Sequence, residues 1–359
     1  MMLYFHIPFC VRKCFYCDFV SFAGQEGRIT PYVDALIREM NRRPCGESIT
    51  SVFLGGGTPS LLPEKELKRL FSAIRERYAL AERCEITSEC NPGTVTEMWL
   101  DAAVECGINR LSVGIQATQE ELLKRIGRIH TFAEAQETFA LAKRAGICNL
   151  SADLMYALPG QTVADWEESL KKVTELEPSH VSCYALTVAE DTPFGNLDKK
   201  GELPRCPEDE ELEMQERTAE ILEKCGIFQY EVSNYAKPGC ASRHNLGYWT
   251  RADYLGFGCA AHSKEGNIRR ANGSGLEDYI NGAGFASEEA LSQEDEWFEE
   301  LMLGLRLKSG IRMSQGALER FGEGLARFEK DGFLAKNGEF VRLTEKGFPV
   351  MNSILSELM

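Results

Sequence analysis

Short apolar runs rich in β-branched and aromatic residues alternate, through the first half of the chain, with longer stretches whose apolar residues recur at helical spacing. That alternation predicts β/α units and a parallel sheet. Strands are expected at Leu3 to Ile7, Ser51 to Leu54, Glu85 to Glu89, Arg110 to Ile115, Asn149 to Met155 and Val181 to Leu186. Helices are expected from Pro31 to Arg42, after Pro63, and through Trp99 to Cys106. Six such units predict an α/β fold, an open, partial (β/α)6 barrel whose strand C-termini hold the site. Residues 188–207 read as a loop, Asp209 to Lys224 as a helix and Gln229 to Asn234 as one further strand. From Ser292 the pattern becomes helix, short helix, helix, a strand at Phe340 to Leu343 and a last helix, a small winged-helix-like module. The chain therefore divides into a barrel core, 1–235, and a C-terminal region, 236–359.

Composition narrows the function classes. The 40 basic and 55 acidic residues give a formal charge of −15. Binding a phosphate backbone needs clustered Lys and Arg, and no basic block occurs, so a nucleic-acid role is not expected. The 13 cysteines are scattered through 359 residues, unlike the dense frameworks of small secreted domains. The first apolar stretch runs into a cysteine loop without a basic leader or cleavage site, and no apolar run approaches the ~18 residues of a membrane span. A reducing cytoplasm is the expected location.

The concentrated chemistry lies in Cys10-x3-Cys14-x2-Cys17. Three thiolates on one short loop suit a four-iron cluster that keeps one iron open, whereas electron-carrying clusters use four cysteines. Zinc is the alternative, with His6 completing a Cys3His site; an accidental grouping is the third. Gly55-Gly56-Gly57-Thr58-Pro59 follows a strand directly, where glycine lets backbone approach a ligand closely. Glu89, Gln116, Arg128 and Asp153 stand at or just beyond successive strand ends. Asp153 lies inside an apolar run, where an unpaired carboxylate is costly, so a ribose hydroxyl or a cationic ligand is its natural partner. Arg128 reads either as a carboxylate clamp or as a surface residue near His130. His244-Asn245-x2-Tyr248-Trp249 offers an imidazole beside aromatic faces, as an axial haem ligand would need, or else a packed core histidine. His262 is a weaker candidate of the same kind, and His180, before a buried strand, is expected to cap or pack.

Taken together, Tyr4-x-His6-x-Pro8-Phe9-Cys10-x3-Cys14-x2-Cys17, the Gly55–Pro59 segment and Asp153-Leu-Met-Tyr-Ala-Leu-Pro-Gly-Gln resemble the radical SAM superfamily. More narrowly, they resemble proteins related to oxygen-independent coproporphyrinogen III oxidase, over nearly the whole chain. The oxidases carry a further cysteine after the third ligand and an N-terminal extension. Here Asp18-Phe19 follows Cys17 and the chain begins at the strand before the loop, as in the haem chaperone branch called HemW. The His244-Asn245-x2-Tyr248-Trp249 block matches that branch's haem-binding motif. The resemblance implies a [4Fe–4S] cluster on Cys10, Cys14 and Cys17, and S-adenosylmethionine contacted by Tyr4, Gly56 and Glu89. Tyr16, Gly57, Thr58, Gln116, Arg128, Asp153 and Ala185 match contacts to a second S-adenosylmethionine in the oxidase branch. It further implies haem on His244, and apo-haemoproteins as acceptors, membrane respiratory enzymes among them. A homodimer and modest S-adenosylmethionine cleavage complete the expectation. The alternatives it leaves open are the oxidase itself, which decarboxylates propionates through a radical and would make His244 structural, and, more weakly, another radical SAM enzyme acting on a tetrapyrrole, such as a haem-degrading methyltransferase.

Overall fold

The computed structural model describes residues 1–358. Its large sheet is built on six parallel strands: β1 Met2–Ile7, β2 Ile49–Gly56, β3 Leu80–Cys90, β4 Arg110–Gln116, β5 Asn149–Tyr156 and β6 His180–Ala185. They lie side by side in chain order, every neighbouring pair parallel. Helices cover the outer face and bury Leu36, Phe71, Leu100, Phe139 and Trp166 against it. Capping boxes start two of them, Thr131 with Glu134 and Thr162 with Asp165, each satisfying two amides that a helix start leaves unpaired. The partial (β/α)6 barrel is present, and the expected strands fall where the apolar runs are.

The sheet extends at both edges: the one further strand expected at Gln229 to Asn234 is split into Phe228–Gln229 and Asn234–Ala236, paired antiparallel, and the strands at the other edge go beyond the expectation. At one edge β7, Asn234–Ala236, pairs antiparallel with β6. At the other, β8 Tyr254–Phe257 pairs parallel with β1. Three antiparallel strands follow it: β9 His262–Glu265, β10 Ile268–Asn272 and β11 Phe285–Ala290. These strands are polar and short, with little apolar alternation to announce them. The barrel stays open, since the outermost strands do not meet.

Residues 301–358 form a second core around Leu301, Phe321, Leu325, Leu343 and Leu355. The expected short helix is instead a strand, Ile311–Arg312, which pairs with Phe340–Leu343; that strand also pairs with Leu334–Asn337. Two residues suffice to add a strand to a hairpin but not to make a helical turn, and Gly310 at φ +73° ends the preceding turn. Helix, small sheet and helix give the winged-helix-like layout.

The helix Arg243–Trp249 packs across the N-terminal end of the barrel lumen. Its first amides have a dedicated acceptor: Glu85 on β3 takes hydrogen bonds from Arg243 N at 3.1 Å and His244 N at 3.2 Å. A carboxylate at a helix start complements its dipole as well as its orphan amides. Glu85→Ala is expected to cost about 2 kcal/mol by leaving those buried donors unmet. Denaturant unfolding measures the cost, and faster hydrogen exchange confined to residues 243–249 locates it.

Candidate functional site

The C-terminal ends of β1 to β6 surround a cavity of about 450 Å³. Cys10, Cys14, Tyr16, Cys17, Gly56, Gly57, Glu89, Gln116, Arg128, Asp153 and Ala185 all line it. Eleven of the fourteen residues that the resemblance assigns to cofactors thus meet at one site; Tyr4, Thr58 and His244 do not line it.

The cysteine loop is held by its own aromatic residues. Phe15 and Tyr16 pack into a small apolar cluster with Leu122, Ile126, Leu158 and Phe194, and Phe15 N donates to Ile126 O at 3.0 Å. That docking presents Cys10, Cys14 and Cys17 to the cavity with no disulfide. Burial pushes the Cys10 thiol up and the Cys17 thiol up to about 11. Thr58 Oγ1 points at Cys10 Sγ, and Arg128 Nη1 at Cys14 Sγ, each at 3.6 Å. A loop with three free sulfurs facing one space, two of them met by donors, fits a cluster, whose binding would displace the thiol protons. Among the described residues no three His, Cys, Asp or Glu side chains close around a single ion. His6 has both nitrogens engaged, Nε2 with Val20 O at 2.7 Å and Nδ1 with Tyr4 Oη at 3.0 Å, so neither is free in this structure to complete a Cys3His site.

The glycine run has a packing reason. Gly56 sits at φ +101°, and a Cβ there would strike the His6 ring at 2.3 Å. A Cβ on Gly57 would meet Ile7 O at 2.6 Å. The close approach joins β1 to β2, which brings Gly56 N within 3.0 Å of Glu89 Oε2. Burial, with Asp153 nearby, pushes the Glu89 carboxyl up to about 8. Asp153 is not unpaired: Ser112 Oγ donates at 2.8 Å and Ser151 Oγ at 3.0 Å. Gln116 ends β4 at φ +68°, a conformation unusual outside glycine, beside a register shift against β5.

Arg128 is half-buried on the rim, where its fork meets a side-chain amide and a backbone carbonyl rather than a carboxylate. Its Nη2 donates to Asn91 Oδ1 at 2.7 Å and to Gly114 O, and Asn91 Nδ2 reaches Thr58 Oγ1 at 2.8 Å. Asn91, Ser112 and Tyr184 also line the cavity, beyond the residues that the motifs point to. Their signal was position, one residue past β3 for Asn91 and the lumen-facing alternation of β4 and β6 for the others.

His244 lies away from the cavity and is 1% exposed. Nδ1 is held by Ser51 Oγ at 2.9 Å and Nε2 by Tyr248 Oη at 3.0 Å. Phe53 stacks on the ring at 5.0 Å, and burial pushes its pKa down to about 3, so the imidazole is neutral. Asn245 is the one residue of the motif that lines the cavity. One face of Trp249 is covered by the Arg306 guanidinium at 5.2 Å. His262 is exposed on β9, and His180 packs as expected, bonded to Ser151 Oγ and Tyr230 Oη.

Glu89 makes the site pH-sensitive. Its folded value lies above the ordinary one, so the stability it contributes is full below the ordinary carboxylate range and is lost as pH rises through about 8. A cationic ligand group placed on Glu89 must expel that proton. S-adenosylmethionine affinity of the cluster-loaded protein is therefore expected to rise by up to about tenfold per pH unit below that value and then level off. Anaerobic calorimetry across the range tests this, and Glu89→Gln should weaken binding and flatten the profile.

Comparison with known proteins places this geometry. Residues 4–173 match the family described as the Radical SAM superfamily, and residues 291–350 match the HemN C-terminal domain. A protein named Heme chaperone HemW from Lactococcus lactis is 35% identical, covering 99% of this chain and 96% of that one. Its Escherichia coli namesake is 36% identical, over 99% and 97%. In solved structures, the coproporphyrinogen III oxidase HemN from Escherichia coli superposes with a TM-score of 0.86 at 23% identity, over 99% of this chain and 89% of that one, which shows a shared fold. Membership of the superfamily implies a [4Fe–4S] cluster and S-adenosylmethionine. The chain belongs to the HemW family of radical SAM proteins.

Proposed function

We propose that this protein is a haem chaperone, which binds haem, keeps it from aggregating and passes it to apo-haemoproteins. The observation that carries the reading is the end-to-end similarity, at 35–36% identity, to proteins named for that role. In this reading Cys10, Cys14 and Cys17 hold the cluster, and Tyr4, Gly56 and Glu89 serve a first S-adenosylmethionine. Tyr16, Gly57, Thr58, Gln116, Arg128, Asp153 and Ala185 are the contacts for a second. The bound cluster and nucleoside supply one-electron chemistry, in service of regulation or transfer. The chain's own residues do the positioning: Arg128 holds the loop to Asn91, and Glu89 exchanges its proton for a cationic group. Residues 1–235 would carry this chemistry, and the haem motif falls to 236–359, of which 254–290 extend the barrel sheet and 301–358 form the second core. We place the protein in the cytoplasm, acting as a homodimer, with membrane respiratory enzymes among its acceptors. No helix among the described residues is long and apolar enough to cross a membrane.

His244 is the proposed iron ligand. Metal-ligating histidines are oriented by an acceptor on the other ring nitrogen, and Ser51 Oγ can take that role for Nδ1 of the neutral imidazole. Nε2 must then give up Tyr248 Oη, so ligation competes with a hydrogen bond inside the protein.

Anaerobic absorbance titration with haem tests the reading. The expected result is saturable binding with a histidine-ligated Soret band, lost in His244→Ala. Tyr248→Phe should tighten binding by about fivefold, because a hydrogen bond worth about 1 kcal/mol no longer competes. Absence of binding by the intact protein sinks the reading, and formation of protoporphyrinogen from coproporphyrinogen would then identify the oxidase.

A further inference from the structure

Arg110 opens β4 and is 2% exposed, one of the largest fully buried side chains in the protein. Side chains alternate along a strand, so Arg110, Ser112 and Gly114 share one face, and all three line the cavity. Arg110 is at the N-terminal end of its strand, the cysteines beyond the C-terminal ends, so it forms the floor below them. Among the described residues its guanidinium enters no hydrogen bond or ion pair, and Nε is buried without a partner. The carboxylates of the lumen already accept from other donors, and Glu89, near enough for Arg110 to oppose the rise of its pKa, makes no hydrogen bond or ion pair with it. Glu85 serves the amides of residues 243 and 244, Asp153 two serine hydroxyls, and Glu89 the Gly56 amide. A guanidinium whose Nε is shut off from water and whose residue opens only onto the cavity is best met there by an anion or several acceptors, and its fork suits a carboxylate in bidentate fashion. The charge is felt nearby, since it adds to the depression of the His180 and His244 pKa values that burial begins.

We propose that Arg110 is a carboxylate-binding subsite at the floor of the cavity, taking the carboxylate of a ligand that enters from the cluster end. The carboxylate has two sources, a propionate of a tetrapyrrole or the amino-acid end of S-adenosylmethionine. The first rests on the haem reading above; the second does not. Nothing in the proposal involves His244, so failure of haem ligation there leaves it standing.

The test uses the full-length, cluster-loaded protein under anaerobic conditions, with Arg110→Gln and Arg110→Met variants. The probes are haem, haem dimethyl ester, S-adenosylmethionine and decarboxylated S-adenosylmethionine. Arg110→Gln is expected to weaken one acid-bearing probe about tenfold or more and to leave its carboxylate-free analogue at wild-type affinity. A penalty for haem and none for its ester assigns the propionate. A penalty for S-adenosylmethionine and none for the decarboxylated form assigns the amino-acid end. Arg110→Met replaces an unpaired charge with apolar volume, so without ligand its unfolding temperature should equal or exceed that of wild type, while ligand-induced stabilisation is lost. Unchanged binding of both acids overturns the proposal. So does an equal loss for acid and analogue, or a Met variant destabilised without ligand, because each marks a structural role.

Discussion

Polar side chains turned into a barrel lumen must find partners there, because water cannot reach most of them. That constraint organises this protein. Ser51 meets His244, Ser151 meets His180 and Asp153, Ser112 meets Asp153, and Glu85 meets the start of the Arg243–Trp249 helix. The lower lumen becomes a connected polar layer. Above it, where the strands end, the layer opens into the cavity, and the groups without full internal satisfaction face that space.

The parallel arrangement makes one rim out of six strand ends, so residues more than a hundred positions apart share a site. Arg128 reaches Cys14 and Asn91, and Asn91 reaches Thr58, which points at Cys10. A single chain of contacts therefore ties the cysteine loop to β2, β3 and the segment after β4. Loops carry the chemistry, and the sheet sets their spacing.

The His244 network joins the C-terminal region to the same sheet. Through Phe53 and Tyr4 the imidazole stands in an aromatic stack that continues to His6 beneath the glycine run. Moving Tyr248 to free Nε2 would disturb its edge contact with Tyr254 on β8 as well. Haem ligation in the proposed sense is thus coupled to packing at the barrel edge and is not a simple surface event.

Much of this was legible in the chain. Short strand-like runs of four to seven residues marked all six parallel strands, and the spacing of Cys10, Cys14 and Cys17 marked the cluster loop, because both signals are local. Strand ends then collected Glu89, Gln116 and Asp153 on one rim by topology alone. The sequence could not show that both His244 nitrogens are occupied, since Ser51 Oγ is 193 residues away. Nor could it show that β8 pairs with β1, or that Asp153 has two serine partners, each a consequence of long-range register. Arg110 illustrates the division most clearly. Its alternation with Leu111 reads equally well as a solvent-facing strand position; only the curvature of the sheet, which turns that face inward, makes it a buried cation at the floor of a cavity.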